Sequence, residues 1–290
     1  MSWNKKTIDP DVVLRKIKPG MSIFLGTGVS EPRTLVKHLL ASNSRELDDL
    51  ELIQLVSYGH ASTPEAIQAR KFRLRTFFSG HVSREINSGR VDLIPIRFAR
   101  LPHLFQSGMI NVDAAFIQIT PPDKSGYCSF GVSVDVARLA MEQANLTIGE
   151  INKHIPVTMG DTFAHVSEFD FLVKSTEKPI YFKRWPVDDT FDKLAAQIVS
   201  LIDDKSCISF SVGPLFEALS KYLKERKHLG IHSPIFTDAL MDLVKSGAVS
   251  NRYKGTFPGK SVSSYAFGSP ELFSWLDRNP MVEFQSIEHV

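Results

Sequence analysis

The chain is 290 residues long, with 43% hydrophobic and 23% charged residues and a formal net charge of +2. That length can bury a large core and fits two domains, while a charge this close to zero leaves no electrostatic footprint for nucleic acid. No run of about 18 apolar residues is present, so no membrane-spanning helix is expected.

The opening Met1-Ser2-Trp3-Asn4-Lys5-Lys6 leads into no apolar stretch and does not read as a signal peptide. Two cysteines, Cys128 and Cys207, lie far apart. They suggest free thiols in a reducing compartment, and so a cytoplasmic protein. Asp11 to Ile17 reads as a short helix closed by Lys18-Pro19-Gly20. Met21 to Leu25 is an apolar strand running into Gly26-Thr27-Gly28. Ser30-Glu31-Pro32 then opens a helix, with Ser30 as N-cap and Pro32 in the first turn. Backbone N–H groups at such a strand–turn–helix unit can hold an anion, a carboxylate included; the same two glycines also serve a plain tight turn. Leu50–Val56, Phe72–Phe78, Val91–Ile96 and Val112–Ile119 are further strands. A polar loop follows the first, and short helices at 83–88 and 101–105 follow the next two. The alternation predicts an α/β fold with mostly parallel sheets covered by helices.

Thr120 to Gly131 carries Pro121 and Pro122 and reads as a rigid loop. A helix over 134–143 and a strand over 146–150 come next. Cys128 reads as a packed thiol. Asp161, His165 and Glu168 are of metal-binding type, but a single cluster without a partner segment favours hydrogen-bonding roles. The polar, Pro-interrupted stretch 174–189 is the expected linker, which gives domains over 1–187 and 188–290. Past it, Thr190 caps a helix from Phe191 to Ile202, Cys207–Val212 is a strand, and Gly213-Pro214 starts a helix to Lys224. His228 and His232 are four apart, yet His232 ends a strand, so they do not share a helix face. Leu229 to Leu243 reads as a strand end, a turn and an amphipathic helix. Tyr253 to Lys260 reads as a solvated basic loop, Ser261–Phe267 as one strand, Pro270–Leu276 as a helix and Val282–Gln285 as the start of a strand.

Several of these pieces, in this order, resemble the acetyl-CoA hydrolase/transferase family of CoA-transferases. They are Ser30-Glu31-Pro32, Thr120-Pro121-Pro122-Asp123-Lys124-Ser125-Gly126-Tyr127-Cys128, Gly160 to Glu168, His228 to Ser233, Thr237-Asp238, Gly247-Ala248-Val249 and Asn279-Pro280. The resemblance implies two related α/β domains with the active site between them. It also implies an acyl-CoA:carboxylate CoA-transferase or acetyl-CoA hydrolase that takes the CoA thioester as substrate and needs no resident cofactor or metal. In that chemistry a Glu attacks the thioester, a mixed anhydride forms, CoA returns to give a glutamyl thioester, and a second carboxylate takes the CoA. Gly26, Thr27, Gly28 and Ser30 match the substrate carboxylate side, and Gly213 matches part of an oxyanion-stabilising turn.

The chain departs from the pattern at the residue that matters most. Family members carry Gly-Ile-His-Ser/Thr-Glu-Met; here Gly230-Ile231-His232-Ser233 runs into Pro234. Proline carries no nucleophile, which leaves His232 or Asp238 as groups that would have to activate water or replace the Glu. The second domain also reads as incomplete, so the implied partners are acyl-CoA, a small carboxylate, and either a second copy of the chain or a C-terminal remainder. The alternative reading is a non-catalytic module that binds a CoA ester or a partner protein.

Overall fold

The computed structural model describes residues 3–44, 47–69 and 71–290; Met1 and Ser2 of the N-terminal reading lie outside them. The chain forms two compact units, residues 1–157 with 163–180, and residues 158–162 with 181–290. The passage between the two units at residue 180 lies inside the expected linker 174–189, and the short segment 158–162 belongs to the second unit.

In chain order the first unit contains α1 (Pro10–Leu14), β1 (Ser22–Leu25), α2 (Arg33–Ala41), β2 (Leu50–Gln54), α3 (Pro64–Gln68), β3 (Phe72–Thr76), α4 (Ser83–Asn87), β4 (Val91–Leu93), α5 (Leu101–Gln106), β5 (Ala114–Ile119), β6 (Tyr127–Ser129), α6 (Ala137–Gln143) and β7 (Leu146–Ile151). Strand β8 (Met159–Gly160) belongs to the second unit, and β9 (Phe163–His165) and β10 (Phe171–Lys174) complete the first. Seven strands form one sheet in the order β10-β7-β5-β1-β2-β3-β4, with every pairing parallel. All six residues of β5 are buried, as a strand covered on both faces requires. Leu25, Leu35, Leu52, Leu74 and Phe116 share one apolar core. The order runs outward from β1 to β4, then returns to the other side of β1 with β5. The crossover between β1 and β5 is the position where open α/β sheets bind ligands, at the carboxyl ends of the strands.

Two elements in this unit differ from expectation. The polar loop after β2 contains α3, whose first turn is capped by Thr63: its hydroxyl accepts from the Ala66 amide at 3.2 Å, and Pro64 sits at the first helical position. The Pro-rich stretch after β5 carries β6, paired antiparallel with β9.

The second unit continues with α7 (Asp189–Ile198), β11 (Cys207–Ile208), α8 (Pro214–Leu223), β12 (Gly230–Ile231), β13 (Ile235–Phe236), α9 (Asp238–Lys245), β14 (Ser261–Ser263), β15 (Tyr265–Ala266), α10 (Pro270–Leu276) and β16 (Val282–Phe284). Its strands make short parallel sheets: β11 with β12, β13 with β15, and β14 with β16 and β8. The predicted single strand 261–267 is therefore two strands in different sheets. Asp188, not Thr190, caps α7, accepting from the Phe191 amide at 2.9 Å. No helix of the described residues is long and apolar enough to cross a membrane.

Candidate functional site

The turn Gly26 to Glu31 leaves β1 at the crossover. It demands glycine twice. A Cβ on Gly26 would stand 2.3 Å from the Ser30 carbonyl oxygen, and Gly28 has φ +54°. The amides of Gly26, Gly28 and Ser30 bond to Phe116, Val56 and Thr27 carbonyls at 3.2, 2.9 and 3.0 Å. Those three N–H groups therefore hold the turn together, and the polar capacity left at the site is in side chains. Ser30 Oγ, Gln54 Oε1 and Ser57 Oγ are buried with no hydrogen-bond partner. The Gln54 amide is oriented by its nitrogen, which donates to the Gly26 and Tyr58 carbonyls at 3.2 and 3.3 Å, so the oxygen points away from them as an open acceptor. Thr27 is also buried, beside the carboxyl of Asp135. Gly26, Thr27, Gly28 and Ser30 are thus brought together as one turn, and the structure adds Gln54 and Ser57 to them.

Ser30 does not cap α2. It lies in a 3-10 turn, and the helix starts after Pro32. The first amides of α2, which have no partner within the helix, are taken by Glu150 from β7: its oxygens accept from Thr34 and Leu35 at 3.2 and 2.9 Å and from Ser175 Oγ at 2.7 Å. A carboxylate at a helix N-terminus satisfies donors that otherwise lack partners and meets the positive end of the dipole. Glu31 does the same for the 3-10 turn at His60, accepting from the His60 and Ala61 amides at 2.6 and 3.1 Å. Burial pushes its carboxyl up to about 7, against the pull of those two amides. Neither role was visible in the sequence. Glu31 follows the N-cap type residue Ser30, which draws the eye, and Glu150 is 115 residues from Leu35, the amide it caps.

In the second unit, Pro234 sits between β12 and β13. The strand does not turn directly into a helix, as the sequence suggested; Ile235–Phe236 intervenes as β13, and α9 begins at Asp238. Ser233 explains the break. Its hydroxyl accepts from the Phe210 amide at 3.0 Å and donates toward the Phe210 and Ile235 carbonyls at 2.9 Å, and Pro234 has no N–H to continue the ladder. The Pro234 carbonyl accepts from Ser264 and Tyr265 at 3.3 and 3.2 Å. His232 is half-buried, and its Nε2 meets the His289 carbonyl at 2.9 Å. A carbonyl partner makes Nε2 the donor, so the neutral ring offers Nδ1 as a base. Asp238 is buried, and Ser269 binds both its oxygens: the amide donates to Oδ2 at 3.0 Å and the hydroxyl donates to Oδ1. A Cβ on Gly268 would lie 2.2 Å from Oδ2. That carboxylate is a clasp on the start of α10. Gly213 has φ +128° and precedes Pro214; with Trp185, Val212, Phe216 and Thr237 it lines a narrow cleft.

The remaining candidates take structural places. Cys128 is buried, its thiol is pushed up to about 12 by burial, and it donates to the Ala164 carbonyl at 3.3 Å. His165 and Glu168 cap one 3-10 turn reciprocally, and no group of metal-binding type is found among the described residues. Lys254, expected in a solvated loop, is 9% exposed. Its ammonium donates to the Ile231 and Lys260 carbonyls, each at 2.7 Å, and satisfies inside the unit what a loop lysine normally gives to water.

A parallel sheet with a glycine turn at its crossover defines an α/β protein of the kind that binds small ligands at strand ends. The family can be stated more narrowly. Residues 1–183 match the acetyl-CoA hydrolase/transferase N-terminal domain. The chain is 35% identical over 289 residues to the 4-hydroxybutyrate coenzyme A transferase of Clostridium kluyveri, covering 99% of this chain and 67% of that protein. It is 33% identical over 277 residues to the succinyl-CoA:acetate/propanoyl-CoA:succinate CoA transferase of Fasciola hepatica, covering 94% and 58% respectively. Among solved structures it is similar to RipA from Yersinia pestis, with a TM-score of 0.90 at 25% identity over 99% of this chain and 69% of that one. It is likewise similar to the 4-hydroxybutyrate CoA-transferase of Porphyromonas gingivalis, with a TM-score of 0.82 at 26% identity over 99% and 68%. The chain belongs to the acetyl-CoA hydrolase/transferase family. It spans about two thirds of the length of the Clostridium relative and less of the Fasciola one.

Proposed function

We propose that this chain is the acyl-CoA- and carboxylate-handling portion of a CoA-transferase in which residue 234 does not supply the covalent step. The reading is supported by Pro234, which by resemblance falls where the family carries its Glu and is fastened through its carbonyl to Ser264 and Tyr265. Asp238 is a poor substitute, because its carboxyl is buried and each oxygen is already committed to Ser269 at the start of α10. CoA enters as a thioester substrate, and the second substrate is a small carboxylic acid recognised at the turn Gly26 to Ser30. Acetate is the acid expected by resemblance, and 4-hydroxybutyrate is the acid named for the Clostridium relative. Gly213 is assigned to the oxyanion side.

A second reading is hydrolysis of the thioester, favoured by His232. Its Nδ1 is the free nitrogen of a ring held through Nε2, so it can take a proton from water. The test is label exchange from carbon-labelled acetate into acetyl-CoA, made with the natural gene product and with Pro234→Glu. The expected result is silence in the parent and exchange in the variant. Exchange by the parent overturns the reading, and CoA release without exchange that is lost in His232→Gln establishes hydrolysis instead.

A further inference from the structure

We propose that the cavity between the N-terminal turn and the β6–β9 hairpin is a nucleotide-binding site, separate from the turn Gly26 to Ser30. The cavity has a volume of about 470 Å³, and its walls include Trp3, Lys5, Lys124, Ser125, His165 and Ser167. All of these belong to the first unit. Thr7, just past the N-terminal turn, pairs with Leu172 of the edge strand β10, and β7 and β5 stand between β10 and β1. A cavity of this size suits a small molecule and not a polymer.

The walls are held by groups that are already satisfied. The Lys6 ammonium donates to the Val166, Ser167 and Phe169 carbonyls, which ties the turn Trp3–Lys6 to the segment after β9. Asp123 fixes the hairpin tip: its Oδ1 accepts from the Ser125 and Tyr127 amides at 2.8 and 2.9 Å, and its carbonyl accepts from the Gly126 amide at 3.1 Å. That carboxylate is therefore engaged with backbone, although it borders the cavity.

The groups left over are donors. Lys5 and Lys124 are exposed, and neither is in an ion pair among the described residues. His165 Nδ1 accepts from the Ser167 amide at 3.2 Å, and the Ser167 hydroxyl lies 2.7 Å from the same nitrogen. An amide N–H only donates, so Nδ1 carries no proton and Nε2 does. Nε2 lies close under Gly126, where a Cβ would stand 2.6 Å from it; with φ at +88°, that position favours glycine twice over. The site therefore offers two ammonium groups, an imidazole N–H and the Ser125 hydroxyl, beside the half-buried indole of Trp3. Ammonium groups and N–H donors match phosphate oxygens, and an indole matches a planar base. Inorganic phosphate would leave Trp3 unused, and a nucleoside would leave the ammonium groups unused. A nucleotide uses both. That chemistry is carried by free nucleotides and by the nucleotide end of CoA.

The experiment is calorimetric titration of the whole chain with ADP, adenosine and inorganic phosphate, repeated with Lys124→Glu and Trp3→Ala. The expected result is one ADP per chain, with affinity reduced on the order of ten-fold in each variant. Adenosine and phosphate are each expected to bind at least about ten-fold more weakly than ADP. Titration with CoA then separates the two sources. A CoA affinity that falls by the same factor in Lys124→Glu makes the nucleotide end of CoA the ligand, and an unchanged one leaves the free nucleotide. Lys124 is exposed, so its replacement leaves the core untouched and the comparison stands even if Trp3→Ala folds poorly. Absence of ADP binding overturns the proposal, as does ADP affinity that either folded variant leaves unchanged, or phosphate binding as tight as that of ADP. No arm reads acetate exchange, so the transferase reading and this one fail separately.

Discussion

The Glu31 carboxyl receives two backbone amides and is still fully buried, so its proton has consequences for stability. Its affinity for a proton rises from the ordinary 4.5 to about 7 on folding. Between those values the folded state holds the proton more tightly than the unfolded chain does, so stability falls as pH rises from 4.5 to 7 and this contribution is constant outside that window. The size is on the order of 3 kcal/mol. Asp135 and Glu150 are raised by burial as well and keep a slope of the same sign in any variant, so urea unfolding across that range is expected to be steeper with pH in the parent than in Glu31→Gln; parallel curves would contradict the assignment. Asp238 gives a second prediction at this scale. Asp238→Ala leaves the Ser269 amide and hydroxyl without their acceptor and is expected to cost about 3 kcal/mol. The check is whether hydrogen exchange at 269–276 accelerates, which a lost nucleophile alone would not cause.

At the scale of the element, α2 shows how a local reading names the right boundary and the wrong partner. Ser30-Glu31-Pro32 correctly marks a helix start, because Ser and Pro have local preferences that operate wherever they occur. The actual cap comes from β7, and no local rule reaches across the sheet to Glu150. Ser30→Ala is therefore expected to change stability by less than about 0.5 kcal/mol, whereas Glu150→Ala is expected to cost about 3 kcal/mol by orphaning the Thr34 and Leu35 amides. Equal losses in thermal unfolding would restore Ser30 as the cap. The same division explains the rest of what the sequence made legible. Strands β1 and β5 were visible because a buried parallel strand is a continuous apolar run, and β3 through the alternation of Phe72, Leu74 and Thr76 with two arginines. Strands β6 and β10 were not: β6 is three residues long with one exposed, and β10 ends in Lys174. The turn Gly26 to Ser30 was legible through its glycines. Gln54 and Ser57 entered the site only because parallel pairing sets β2 beside β1, and Lys254 was misjudged because nothing in Tyr253-Lys254-Gly255 tells a buried lysine from a solvated one.

At the scale of the whole molecule, the instructive piece is residues 158–162. A composition shift places a linker at 174–189, yet the chain commits Met159–Gly160 to the second unit first, as the edge strand β8 beside β16. Gly160 makes that pairing possible. Its φ is +105°, and a Cβ would lie 2.3 and 2.8 Å from the Phe284 carbonyl oxygen and amide nitrogen, where backbone cannot give way. The neighbouring Asp161 amide donates to the same carbonyl at 2.9 Å. Gly160→Val is thus expected to detach β8 and leave β16 with an open edge, at a cost of several kcal/mol by the backbone mechanism. β8 and β16 both belong to the second unit, so the damage should be confined to it. Hydrogen exchange is expected to lose protection along β14 and β16 while β5 and β1 keep theirs. A uniform loss across both units would mean that the chain unfolds as one cooperative block and that the division at 180/181 has no energetic counterpart. Unchanged protection would mean that β8 is dispensable to the sheet it borders.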